Sequence, residues 1–170
     1  MSVQTLYSKA FPNPSQPLRQ PRSLFAAGRL LNQKARFDLD ANVSATSTLL
    51  IGRVSTGAIL SRLSTLTCTA LTTGVLNVGL DRGGSYDANG LYVPSAGAQP
   101  AALLSAQSIA TAGAFALLGA VSVANLDARV YTLMGLSSDP GDLAVIYATV
   151  TTAPTVSGTL AFDVLATNEA

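Results

Sequence analysis

Any chemistry in this 170-residue chain has to come from its carboxylates, because the sequence holds no His and a single Cys. Asp38 and Asp40 alternate along one strand face, as a general acid and base pair of a sugar-cleaving enzyme would require. Asp81, Asp87 and Asn89 crowd a glycine-rich stretch where neighbouring oxygen ligands could take Ca²⁺. Neither pattern is complete. The run Asp38-Leu39-Asp40-Ala41-Asn42 opens like a calcium loop, but Val43 stands where the sixth-position Gly is needed and Leu49 replaces the twelfth-position Glu. A solvated strand face, or ion pairs to basic residues nearer the N-terminus, accounts better for Asp38 and Asp40. Asn89-Gly90 reads as hairpin chemistry, since both residues tolerate positive φ.

The remaining motifs fail on a specific atom. Gly52 to Ala58 has the glycine spacing of a phosphate loop, yet Ala58 stands where the Lys must be, so a tight turn is expected instead. Cys68 alternates with Leu66 and Ala70, which predicts a buried, inert thiol. Without His there is no Cys/His zinc site and no Ser-His or Cys-His nucleophile. Lys9 and Lys34 both lie near the N-terminus, away from any dry pocket that would lower a Lys pKa. No catalytic residue, cofactor or metal is expected, and the chain does not read as an enzyme.

The elements that carry these residues are mostly strands. Period-two alternation with β-branched residues runs through Arg36 to Asp40, Thr48 to Val54, Ala58 to Leu63, Thr65 to Leu71 and Val75 to Asp81. Periodicity fails across 82–100, RGGSYDANGLYVPSAGAQP, which predicts a long loop with a short strand near Leu91 to Val93. Pro100 followed by AALLSAQSIAT predicts the single helix, about three turns long. Strands resume at Ala116 to Val123, Ala128 to Gly135, Leu143 to Thr152 and Gly158 to Thr167, with a turn at Ser138-Asp139-Pro140-Gly141. The expected fold is all-β: an antiparallel β-sandwich, jelly-roll-like, with one short helix and an extended N-terminal arm.

The arm differs from the body in kind. Residues 1–36 carry Lys9, Arg19, Arg22, Arg29, Lys34 and Arg36 and no acid, whereas the rest holds all nine acids against four arginines. Half of the eight prolines (Pro12, Pro14, Pro17, Pro21) fall in it, at spacings that forbid helix. The expected division is an extended basic arm over 1–34 and a sandwich domain over 35–170. The arm's apolar residues need a surface to lie on, which points to an arm ordered by a neighbouring subunit, with a disordered tail as the alternative. Only 11% of the chain is charged, against about 25% in an average domain, so Ser and Thr, 17 of each, must supply most of the polar surface. Such a surface repels neighbouring copies weakly, as suits a subunit packed among subunits. Six basic charges over 36 residues are too sparse to point to nucleic acid. The N-terminus has no apolar signal region, and the most apolar window, 112–126, falls short of the ~20 residues that span a bilayer, so no membrane is expected.

Across 45–165 the chain resembles a diffuse group of small virion proteins of tailed bacteriophages. The resemblance is carried by Leu49-Leu50-Ile51, by Val54-Ser55-Thr56-Gly57-Ala58-Ile59-Leu60, by Gly74-Val75-Leu76-Asn77-Val78-Gly79-Leu80, by Asp127-Ala128-Arg129-Val130-Tyr131 and by Gly158-Thr159-Leu160. It implies a decoration or cement protein on the capsid exterior, or part of a head fibre, often assembled as a homotrimer. The expected partners are then the major capsid protein and further copies of the chain. The arm matches no family motif; its residues Leu6, Tyr7, Phe11, Arg19, Arg22, Phe25 and Arg29, with Arg36, are the candidates for partner contact. The alternative is a receptor- or glycan-binding jelly-roll module of a phage fibre, with 82–100 as its binding loop. A glycosidase built on Asp38/Asp40 or Asp81/Asp87 is the remaining, weakest reading.

Overall fold

The computed structural model describes residues 5–7, 30–88 and 90–167, with backbone alone at 5–7 and Leu30. Its strands are β1 (Thr5–Tyr7), β2 (Leu30–Leu39), β3 (Thr48–Ser55), β4 (Ile59–Leu60), β5 (Thr65–Cys68), β6 (Val75–Asp81), β7 (Ser85–Tyr86), β8 (Tyr92–Val93), β9 (Gln99–Ser108), β10 (Gly113–Ala116), β11 (Leu143–Thr152) and β12 (Gly158–Thr167). A one-turn helix, α1 (Val130–Leu133), lies before β11.

One sheet has the order β1-β3-β11-β6-β9 and the other β10-β5-β12-β2, with β4 on β12. The long strands form nested antiparallel pairs, β2 with β12, β3 with β11, β5 with β10 and β6 with β9. A long hairpin rolled up so that its successive rungs fall in alternate sheets is a jelly roll. The all-β sandwich is therefore the observed fold.

Alternation explains which face each strand buries. In β2 Ala35, Phe37 and Leu39 point inward while Lys34, Arg36 and Asp38 are exposed. In β12 Leu160, Phe162, Val164 and Ala166 face the same core, where the Phe37 and Phe162 rings meet edge to face at 5.9 Å. From the opposite sheet Leu49, Ile51, Leu76, Val78, Leu80, Ala144, Ile146, Ala148 and Val150 complete it. Burying a large apolar side chain contributes roughly 1.5–3 kcal/mol, and this continuous core is what holds the sheets together.

Three expected elements are corrected. The segment expected to be the helix, 101–111, is largely strand β9, which pairs with β6. Its register against β6 shifts twice, between Leu76 and Val78 and again between Val78 and Leu80. Ala106 adopts φ +48° there and donates its N–H to Asn77 Oδ1 at 2.7 Å. Such irregularities break strict alternation, so Leu103 and Leu104 are both buried and the spacing imitates a helix. Pro100 is tolerated because β9 is an edge strand.

The strand expected over Ala128 to Gly135 is instead α1. Leu136 N–H reaches the Tyr131 carbonyl (2.9 Å) and Gly135 N–H the Thr132 carbonyl (2.9 Å), with Gly135 at φ +76°, which is the Schellman closure of a helix end. The strand expected over Ala116 to Val123 is a chain reversal after β10, in which buried Leu117 and Leu118 join the core. Two further strands are shorter than expected: Ala58 to Leu63 contributes only β4, and Thr65 to Leu71 ends at Cys68.

Candidate functional site

Three surfaces could meet a partner: the edge where β1 lies, the outer face of its sheet, and the outer face of the opposite sheet. Each is built differently.

At the edge, β1 runs parallel to β3, with Thr5 opposite Thr48, Leu6 opposite Leu49 and Tyr7 opposite Leu50. Further along β3, the Gln33 side-chain amide of β2 donates to the Arg53 carbonyl and so stitches the two sheets together. Of the partner-contact candidates, Leu6 and Tyr7 lie in β1, and Arg36 lies exposed on β2 with its Nε 3.6 Å from Asp38 Oδ1. Phe11, Arg19, Arg22, Phe25 and Arg29 lie outside the described residues. The expected boundary at 34/35 falls within β2, which runs unbroken from Leu30 to Leu39.

The outer face of the β1 sheet is covered by the chain itself. Residues 82–100 fold as the hairpin β7–β8 and lay Tyr92 and Ala98 over Leu50, Val145 and Tyr147, the residues of β3 and β11 that point away from the main core. The rings of Tyr86, Tyr92 and Tyr147 follow one another at 5.6 and 6.0 Å. Asp81, at the end of β6 and fully buried, pins this flap. Its carboxylate accepts hydrogen bonds from Tyr92 Oη (2.7 Å), Ser95 Oγ (2.5 Å), Ser95 N–H (2.9 Å) and Gly83 N–H (3.1 Å).

Burial pushes the Asp81 carboxyl up, but the bonds from Ser95, Tyr92 and Gly83 outweigh it and hold the group below the ordinary carboxylate range. The same contact drives Tyr92 far above its usual value, burial first and the Asp81 bond next. Tyr147 is pushed up to about 12, by burial and then by the Asp81 charge. Among the described residues its hydroxyl meets no hydrogen-bond partner.

These assignments decide what the acidic residues can do. Asp81 is spent on the flap, and Asp87 accepts the Leu91 N–H at 2.8 Å as part of the hairpin turn. Asp38 takes the Thr159 hydroxyl (2.8 Å), while Asp40 takes the backbone and side-chain amides of Asn42 (both 3.2 Å), a turn of its own. Among the described residues no cluster of three His, Cys, Asp or Glu side chains forms. The stretch Gly52 to Ala58 is the end of β3 and a turn, where the Thr56 hydroxyl binds Asp139 Oδ1 (2.5 Å). Cys68 is half-buried, its thiol pushed up by burial and bonded to the Thr111 carbonyl (3.4 Å), while Ala70 beyond it is exposed and does not continue the buried row.

Among the described residues nothing covers the outer face of the opposite sheet. Cross-strand rows Thr65–Asp163–Lys34 and Thr67–Ala161–Arg36 line a groove of about 610 Å³. Lys34 Nζ stands 3.7 Å from Asp163 Oδ2, and the short Ala161 keeps the middle of the groove clear. The flap was the surface sequence reasoning missed. The signal for it was available in β3 and β11, whose runs Leu49-Leu50-Ile51 and Ala144-Val145-Ile146-Tyr147 are apolar on both faces.

With this architecture in place, likeness to known proteins can be read. No protein-family description and no curated protein matches the sequence. Among solved structures, the fold is similar to a chain in the capsid of Ralstonia phage GP4, at TM-score 0.65 and 14% identity, covering 98% of this chain and 99% of that one. It is also similar to a chain of the cyanophage Pam1 capsid asymmetric unit, at TM-score 0.52 and 16% identity, over 93% and 97% of the two chains. At such identity the likeness shows a shared fold that runs nearly end to end. No helix among the described residues is long and apolar enough to cross a membrane.

Proposed function

We propose that the protein is a non-enzymatic structural component of a phage virion, which decorates the capsid exterior and cements neighbouring capsid subunits. The observation that carries this reading is the near end-to-end likeness to a capsid chain of Ralstonia phage GP4, with almost nothing left over on either side. The charge-poor composition and the assignment of every described acidic pair to a structural bond are in keeping with it. In this reading the body associates as a homotrimer, and the basic, proline-punctuated arm reaches across the major capsid protein. Leu6, Tyr7, Phe11 and Phe25 fill apolar pockets, while Arg19, Arg22, Arg29 and Arg36 meet acidic patches. One chain that touches several shell subunits converts weak separate contacts into one multivalent hold against expansion.

Sedimentation of purified protein with undecorated shells tests this. Full-length protein is expected to travel with the shells, and a variant lacking residues 1–28, checked for a retained β-type circular dichroism spectrum, is expected to stay behind. Full-length protein that remains in the supernatant would overturn the reading.

A further inference from the structure

We propose that the β3 edge at Thr48–Leu50 is an acceptor for the N-terminal strand of a second copy of this chain, so that Thr5–Tyr7 is exchanged between subunits. The inference rests on the arm-bridged reading above and names what the arm docks on first.

The first support is chain length. Within one molecule the gap between β1 and β2 is short: Tyr7 pairs with Leu50, and three residues on, the Arg53 carbonyl is held by Gln33 of β2. The connection nevertheless comprises the 22 residues 8–29. Extended at ~3.3 Å per residue it reaches on the order of 70 Å, several times what a strand-to-strand crossing at the ~10 Å sheet spacing needs. Pro12, Pro14, Pro17 and Pro21 favour the extended form and oppose a compact loop. A connection of this length can reach the β3 edge of a neighbouring copy as well as its own.

The second support is the edge itself. Thr48, Leu49 and Leu50 are buried, so this stretch of β3 carries no Lys or Pro to repel an incoming strand, and the irregularity at Ile51, where the register against β11 shifts, limits the pairing edge to these residues. Only a backbone partner satisfies it, and β1 does so in parallel register through three residues. Closed and exchanged forms make the same backbone bonds, so the choice between them follows effective concentration rather than contact quality. An identical strand from a second copy fits this acceptor by construction, which is why a copy of the chain is the occupant proposed.

Cross-linking in a Cys68→Ala background tests it. Adjacent strands lie ~4.8 Å apart, within disulfide range, so Thr5→Cys and Thr48→Cys on separately tagged full-length chains should join under mild oxidation. The expected result is a reducible band carrying both tags, formed when the two variants are co-expressed. A doubly substituted chain that closes only on itself, with no mixed band on or off shells, overturns the proposal; so does the absence of any cross-link. The double variant Leu6→Pro/Tyr7→Pro removes whichever of two successive N–H groups faces β3. Added to the Thr5→Cys chain it should yield folded protein with the mixed band lost, and a mixed band of unchanged yield would overturn exchange. Shell binding without a mixed band sinks exchange alone, whereas a mixed band without shell binding leaves exchange standing and sinks the capsid role.

Discussion

The two sheets present opposite surfaces to the outside. Over β3 and β11 the chain has folded its own 82–100 segment down, buried Tyr92 and Tyr147 with Tyr86 half-buried beside them, and locked the lid with a carboxylate that accepts four hydrogen bonds. Over β12 and its neighbours nothing comparable exists among the described residues; threonines, an alanine and loosely paired charges line an open groove. Covered apolar area stabilises a fold, whereas exposed ion pairs contribute about 0–1 kcal/mol each. The covered face is thus where stability is concentrated, and the open face can change at little cost to folding.

Asp81 gives the largest separation between the faces. Asp81→Ala leaves the Tyr92 and Ser95 hydroxyls and two backbone N–H groups without their acceptor, and a loss of about 3–4 kcal/mol is expected by denaturant titration. The charge state makes this pH-dependent. A carboxyl held below its unfolded value contributes stability that is complete above the unfolded pKa, near 3.9, and is lost as pH falls through the lower folded value. Stability of the native protein should therefore drop below about pH 4 more steeply than that of Asp81→Asn. Parallel acid profiles would show that the flap is held by neutral contacts.

Gly79 tests how tightly the flap returns to its sheet. A Cβ there would overlap the backbone of Gln99 and stand 2.6 Å from Pro100 Cα, where the chain leaves the flap for β9. Backbone cannot rotate aside as a side chain can, so Gly79→Ala is expected to lower stability by about 2 kcal/mol, read from the thermal midpoint. An unchanged midpoint would mean that β9 is free to shift along β6.

Tyr147→Phe should go the other way. The phenol ring is buried while its hydroxyl lacks a partner among the described residues, so removing the oxygen retains the packing and ends a desolvation cost. A gain of up to about 1 kcal/mol is expected. A loss of that size would reveal a buried water bound to the hydroxyl.

How much of this was legible beforehand follows from how local each signal is. β6, β11 and β12 are read from alternation to their ends, because each has an unbroken apolar row facing one core. β9 was lost because its register shifts against β6 twice, and a bulge shows itself only when the partner strand is known. In α1, Val130 and Tyr131 have strand propensity, and what decided otherwise was Gly135 in the left-handed region closing the turn. The nested pairing of β2 with β12 and β3 with β11 links residues far apart in the chain, Ser55 with Leu143 being the nearest such pair, and no short-range pattern encodes it. As for the candidate site, the basic character of the arm is plain in the sequence, but the role of Asp81 needed Tyr92 and Ser95, brought to it by a loop without periodicity.

Arg36→Ala carries the comparison to the open face and is expected to have the smallest effect on folding. The guanidinium is exposed and its ion pair with Asp38 spans 3.6 Å, so the change in stability should stay within about 0.5 kcal/mol. If the open face serves assembly rather than stability, the same substitution should weaken co-sedimentation with undecorated shells, more so with Lys34→Ala added. Raising salt should weaken native binding in the same direction, because exposed charges are screened within about 10 Å at 0.1 M. Binding unaffected by either substitution or by salt would confine the partner contact to the arm. In the proposed capsid reading, the groove would then face solvent and not a partner.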